Sequence, residues 1–192
     1  MLQTHDLLTQ LADRSALTLD KAQLRRTLGL KEEALTVLIA TGSFGMGPME
    51  KIIETLKDFQ LMVVCGHNRQ LFTCLDRRHF PNVKVFGLVN NMYELMAAAD
   101  VMVTKPGGLS MSEALVQNLP MIFFSAIPGQ ETRNMEVLKS YGIGFYAVDP
   151  QSIENELKKF HFSSAILNQA RQNTQRLAKP QAALDVSALI HG

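Results

Sequence analysis

What most constrains this chain is a regular alternation of two kinds of segment. Short apolar runs occur at Leu35–Ala40, Leu61–Cys65, Val83–Phe86, Val101–Thr104, Met121–Phe124 and Gly144–Val148. Runs of this length without polar alternation are expected of strands covered on both faces. Between them lie stretches with helical spacing. The clearest is Pro48–Phe59, where Met49, Ile52, Ile53 and Leu56 recur at i, i+3, i+4 and i+7, and Pro48 suits a first helical turn. Asn91–Ala99, Leu109–Asn118 and Glu131–Tyr141 follow later strands, and the chain reads as helical from Pro150 onward, with a break at Pro180. Strand and helix in this alternation predict an α/β domain with a parallel, doubly wound sheet of about six strands.

The chain has 192 residues, enough for one such domain with a full core and too few for two. Lys plus Arg number 19 and Asp plus Glu 18, a net of +1, which argues against a general nucleic-acid binder. Two cysteines, Cys65 and Cys74, make no disulfide framework, and reduced thiols in an intracellular, cytoplasmic protein are the expectation. The longest apolar runs are far below the roughly 18 residues of a membrane span. No basic region followed by an apolar stretch opens the sequence, so no signal peptide is read. The first 30 residues differ in character: Asp6–Leu17 and Asp20–Leu28 read as polar amphipathic helices with no strand beside them. We therefore expect a divergent arm over residues 1–18 and the domain proper over 19–192.

In doubly wound sheets, ligands sit outside the carboxyl ends of the strands. The loops that follow the strands hold Gly42, Gly45, Gly47, Gly66, Gly87, Gly107, Gly108 and Gly129, eight of the 12 glycines. The first loop, Thr41-Gly-Ser-Phe-Gly-Met-Gly47, lets backbone amides approach a phosphate at a helix N-terminus, or is a plain tight turn. Its G-x-x-G-x-G spacing does not match the dinucleotide fingerprint, and no Gly-Lys-Ser/Thr is present for a P-loop. The second, Lys105-Pro-Gly-Gly-Leu-Ser-Met-Ser-Glu113, bares backbone donors before another helix. There Glu113 has two readings. It completes a capping box with Ser110, or it accepts hydrogen bonds from a ribose diol, a task suited to an acceptor-only group. The third, Pro128-Gly-Gln-Glu-Thr-Arg-Asn134, sets Gln130 beside Glu131 at a helix start. That pair suits polyhydroxyl recognition, or is simply a polar first turn complementing the helix dipole. His67 follows the second strand and is a weaker candidate for lining the cleft. No histidine pair has metal-ligand spacing, so no metal site is expected.

Taken together, Val85-Phe-Gly-Leu-Val-Asn-Asn-Met92, Ala99-Asp-Val-Met-Val-Thr-Lys-Pro-Gly-Gly-Leu-Ser-Met-Ser-Glu-Ala114, Pro120-Met-Ile-Phe-Phe124 and Pro128-Gly-Gln-Glu-Thr-Arg-Asn134 resemble the C-terminal, donor-binding half of the family 28 glycosyltransferases. That family includes the monogalactosyl- and glucosyl-diacylglycerol synthases and the lipid II N-acetylglucosaminyltransferase; the Lys-Pro-Gly-Gly and Pro-Gly-Gln-Glu forms are most like the glycerolipid branch. The resemblance runs from about Leu19 to about Ile190. It implies a Rossmann-like domain that forms the C-terminal half of a GT-B fold and holds a UDP-sugar without a bound metal or cofactor. By motif position, the backbone at Val89 would face the uracil edge and Glu113 the ribose hydroxyls. Gly107, Gly108, Leu109 and Ser110 would approach the diphosphate. Gly42, Ser43, Phe44 and Gly45 would form a phosphate loop closing over the reacting carbon, and Gln130 and Glu131 would hold the donor sugar.

The same resemblance implies an N-terminal domain of similar size that supplies the lipid acceptor site, the membrane-docking surface and the general base. Met1–Leu17 does not resemble it, and no general base is named here. The expected function is therefore the donor half of an inverting hexosyltransferase acting on a lipid such as diacylglycerol. It would be active with an N-terminal half and peripheral at a membrane through that partner. A non-catalytic nucleotide-sugar-binding module, or a truncated inactive relative, is the alternative. A half-enzyme would leave its cleft face uncovered, so pairing with itself or with a partner is expected.

Overall fold

The computed structural model describes residues 20–42, 48–124, 130–179 and 181. The strands are β1 (Thr36–Ala40), β2 (Gln60–Val64), β3 (Val83–Phe86), β4 (Val101–Thr104), β5 (Met121–Phe124) and β6 (Phe145–Ala147). The helices are α1 (Lys21–Thr27), α2 (Met49–Leu56), α3 (Arg69–Arg77), α4 (Met92–Ala98), α5 (Gly108–Val116), α6 (Gln130–Ser140), α7 (Pro150–Phe162) and α8 (Ser164–Leu177). One six-stranded sheet runs in the order β3-β2-β1-β4-β5-β6, and every neighbouring pair is parallel.

The side-chain period of two sorts the strands' residues into two cores. Val37, Ile39, Leu61, Val63, Val101, Val103, Ile122 and Phe124 face one side, where α2, α3 and α7 pack through Ile52, Ile53, Leu71, Leu75, Ile153 and Leu157. Leu38, Ala40, Met62, Val64, Met102, Met121 and Phe123 face the other, under α4, α5 and α6 through Leu95, Met96, Met111, Ala114 and Leu138. Both-face cover holds for the central strands β1, β4 and β5, whose residues are all buried. It fails at the two edges. Lys84 in β3 and Tyr146 in β6 are exposed, because an edge strand has cover missing on one flank.

One helix was not read from the sequence and one helix expectation needs correction. Arg69–Arg77 is helical: Asn68 caps it, its side chain accepting from the Leu71 N–H at 2.9 Å, and it docks through buried Leu71 and Leu75 with Phe72 packed beside them. The C-terminal helical region divides at Ser163, whose extended backbone ends α7 and whose side chain caps α8. The Asp6–Leu17 helix and the segment beyond Pro180 lie outside the described residues.

α1 is no free arm. Asp20 caps it, accepting from the Ala22 N–H at 2.9 Å. Its buried Arg25 donates from Nε to the Ala98 carbonyl at 2.9 Å and pairs with Asp100 at 2.5 Å. Asp100 also receives Lys21 at 2.9 Å, Arg171 of α8 at 2.7 Å and the Thr36 N–H at 2.9 Å. Burial would raise the Asp100 pKa, but the Lys21 charge, the Thr36 amide and Arg25 outweigh it and hold the carboxyl below its ordinary value. This cluster sits at the amino ends of β1 and β4. It ties both α1 and α8 to the domain, at the end of the sheet opposite the carboxyl ends of the strands.

Candidate functional site

Strand order decides where the site lies. β1 leads through α2 to β2, and β2 through α3 to β3, on one side of β1. The chain then returns through α4 to β4 on the other side. This reversal opens a crevice above the carboxyl ends of β1 and β4, where Ala40 and Thr104 are register partners. The loops beginning at Thr41 and Lys105 form its two lips.

On the first lip, Thr41 is buried with its hydroxyl 3.6 Å from the Met49 sulfur, which ties the loop's start to α2. Gly42 follows with φ +82°, a conformation that favours glycine. Ser43, Phe44 and Gly45 lie outside the described residues.

On the second lip, Pro106 is buried and Gly107 is the N-cap of α5. The Gly107 N–H donates to the Lys105 carbonyl at 2.8 Å, and the first helical bond runs from the Met111 N–H to the Gly107 carbonyl at 3.1 Å. The amides of Gly108, Leu109 and Ser110 therefore find no acceptor among the described residues. No side chain caps this end, and no acidic residue occupies its first turn. An uncapped N-terminus concentrates partial positive charge and free donors. Neither glycine is required by its backbone: Gly107 has φ −80° and Gly108 is the first helical residue, outside the left-handed region. Neither is required by packing, because a Cβ at either position would meet nothing within 4 Å. Glycine in such a place leaves bare backbone for something outside the chain to approach.

Glu113 stands one turn into α5, four residues after Leu109 and three after Ser110. The capping-box reading fails here. The helix begins at Gly108, so Ser110 lies within its first turn and is not the cap. Instead the Glu113 carboxyl is half-buried, with no ion pair among the described residues, and burial pushes its pKa above the usual carboxylate value. Leu109 is 76% exposed beside it.

Two further segments reach the same edge. The loop from Gly87 to Asn91 follows β3, with Val89 half-buried against the core under α4. Its end is fixed by Glu94, which accepts from Asn91 Nδ2 at 2.6 Å and from the Tyr93 hydroxyl at 3.1 Å. α6 begins at Gln130, so Gln130 and Glu131 stand in its first turn; their side chains lie outside the described residues. Asn134, one turn on, donates from Nδ2 to the Pro106 carbonyl at 3.1 Å and joins the start of α6 to the second lip. Sequence reasoning missed Asn134 as a brace, since nothing local marks a bond that spans 28 residues. His67 is exposed at the end of β2, one strand away from the crevice. Among the described residues no cluster of His, Cys, Asp and Glu could hold a metal ion.

The family description "Glycosyltransferase family 28 C-terminal domain" matches residues 36–184, from the first strand to beyond α8. This chain belongs to glycosyltransferase family 28. It is 33% identical over 187 residues to the probable chloroplastic monogalactosyldiacylglycerol synthase 2 of Oryza sativa subsp. japonica, covering 90% of this chain and 40% of that protein. It is 37% identical over 116 residues to the processive diacylglycerol beta-glucosyltransferase of Staphylococcus carnosus, covering 57% of this chain and 30% of that protein. The chain thus spans well under half the length of these relatives. Among solved structures, Acinetobacter baumannii MurG superposes with a TM-score of 0.70 at 19% identity, over 93% of this chain and 54% of that one. Anabaena HepE in complex with UDP superposes at 0.71 with 17% identity, over 94% and 54%. The family 28 domain is thus the Rossmann-like half of a GT-B fold, as the motifs imply. None of its described helices is long and apolar enough to cross a membrane.

Proposed function

We propose that this family 28 domain binds the UDP-sugar donor of a hexosyltransferase whose acceptor is a glycerolipid. The observation that carries the reading is the pairing of two features on α5. Its N-terminus is uncapped behind two glycines that neither backbone nor packing demands, and a half-buried carboxylate without a cation stands one turn on. Free amides suit a diphosphate. An acceptor-only side chain suits a vicinal diol. A nucleoside diphosphate offers both at that spacing. In this reading Gly107, Gly108, Leu109 and Ser110 meet the diphosphate, Glu113 the ribose and the Val89 backbone the uracil. Gln130 and Glu131 hold the sugar, and the loop of Gly42, Ser43, Phe44 and Gly45 covers the phosphates. Preorganised amides stabilise the departing UDP, so the reading needs no resident cofactor.

The relatives named for diacylglycerol glycosyl transfer support a glycerolipid acceptor. The acceptor site and general base then belong to a facing domain, in the same or a second chain, which brings the enzyme to a membrane surface. Transfer with inversion at the anomeric carbon belongs to this proposal.

Glu113→Gln tests the reading. Burial raises the folded-state pKa, so the ionised carboxylate is a penalty at neutral pH that is relieved as pH falls through the raised value. The neutral amide should therefore stabilise the unliganded chain, by at most about 1 kcal/mol for a group still partly solvated. UDP affinity should fall roughly ten- to a hundredfold. Unchanged UDP affinity would refute the ribose contact.

A further inference from the structure

α6 is held to the domain unevenly. Among its described side chains only Leu138 is buried, with Met135 packed half-buried against the same core. Arg133, Glu136, Val137, Lys139 and Ser140 are exposed. The apolar anchor therefore grips the later turns of the helix. Nearer its start the hold is polar. Asn134 Nδ2 donates to the Pro106 carbonyl at 3.1 Å, in a partly buried contact that spans 28 residues. No backbone N–H among the described residues donates to that carbonyl, so Asn134 supplies a bond that the turn itself does not make.

Helical spacing makes this bond bear on the residues assigned to the sugar. Positions 130 and 131 precede Asn134 by four and three residues, which places all three on one face of α6. The bond therefore fixes how that face is rotated about the helix axis and how far it stands from Pro106. Of the two elements it joins, the turn into α5 is the more firmly held. Pro106 is buried, the Gly107 N–H donates to the Lys105 carbonyl at 2.8 Å, and the Thr104 hydroxyl donates to the same carbonyl at 3.2 Å. Loss of the Asn134 bond would leave the turn in place and release the start of α6.

We propose that Asn134 is a positioning residue for the donor sugar. It touches no substrate. It holds the first turn of α6 in register with the turn into α5, so that Gln130 and Glu131 meet the hexose of a nucleotide already seated at α5. This rests on the donor-site reading above. Side chains that bind a sugar work only when a supporting contact fixes their placement to a fraction of an ångström.

The test is calorimetric titration of the full chain with UDP, UDP-glucose and UDP-galactose. The proteins are the wild type, Asn134→Leu, Asn134→Ala, the pair variant Gln130→Ala/Glu131→Ala, and the pair variant carrying Asn134→Leu as well. Asn134→Leu keeps the size of the side chain without its donor, and Asn134→Ala serves if the leucine does not fold. Each should lose roughly five- to twentyfold in affinity for the better-bound UDP-hexose and less than about twofold for UDP. A merely structural role would lower both affinities alike and leave their ratio unmoved. In the pair variant, adding Asn134→Leu should cost less than about twofold further, because the groups it positions are gone. Unchanged UDP-hexose binding in a folded Asn134 variant, equal losses for UDP and UDP-hexose, or an undiminished loss in the pair variant would overturn the positioning role while the donor reading stands. If the pair variant binds UDP-hexose as the wild type does, the sugar assignment is wrong and the positioning role falls with it, leaving the nucleotide site untouched. If the wild type binds none of the three ligands, the donor reading and the positioning role fall together.

Discussion

Gly108→Ala separates a glycine kept for a ligand from one kept for the fold. Gly108 is the first residue of α5, and a Cβ built on it has nothing within 4 Å. An alanine there fits without strain and narrows the unfolded ensemble, so the chain should gain about 0.5–1 kcal/mol. For a domain of this size that is a rise of roughly 1–4 °C in Tm. The added methyl projects from the amide-bearing end of the helix, where a phosphate oxygen would come within van der Waals distance of the bare Cα. UDP affinity should therefore fall at least about tenfold, equivalent to about 1.4 kcal/mol. Differential scanning fluorimetry without ligand and calorimetric titration with UDP read the two effects on one protein. Stability and affinity should move in opposite directions. Unchanged UDP affinity in the more stable variant would refute the claim that the glycine is kept for close approach. A loss of several degrees would refute the geometry assigned to the start of α5.

Two further substitutions probe the frame that carries the site. Asp100→Asn should destabilise by about 3 kcal/mol in urea unfolding, because it leaves the buried Arg25 without its counter-charge; Lys21 and Arg171 are more exposed and add little. The folded Asp100 carboxyl titrates below its ordinary 3.8, so its stabilisation is complete above that value and is lost as pH falls through the lower folded one. The wild type should lose stability in that acid range, and the variant should lose less. Gly144→Ala should cost about 2–4 kcal/mol. Gly144 has φ +81° and a Cβ there would lie 2.3 Å from the Phe123 ring, so chemical unfolding should report a large loss, whereas Gly108→Ala reports a gain.

The parts of this fold legible in the sequence were those whose burial is complete. β1, β4 and β5 are covered on both faces, so their apolar runs stand out without any knowledge of partners. α2 was equally plain, because Met49, Ile52, Ile53 and Leu56 are all buried. α3 went unread, although Leu71 and Leu75 stand at i and i+4 and are buried. The break at Ser163 depends on one extended residue between two helices. For the site, the motif order pointed to Glu113 and the glycines of the second lip. A short-range capping rule offered a competing role for Glu113, and only the Met111-to-Gly107 bond, which fixes the start of α5, removes it. The Asp100 cluster was hidden, because its partners come from positions 21, 25, 36 and 171.

The central claim is that the crevice above β1 and β4 is a uridine diphosphate site. Its most direct test is a calorimetric titration of the purified chain with UDP, with ADP as the matched control that keeps the diphosphate and changes the base. The account predicts saturable UDP binding at one site, with ADP at least about tenfold weaker. Binding of ADP as tightly as UDP, or no UDP binding at millimolar concentration, would contradict it.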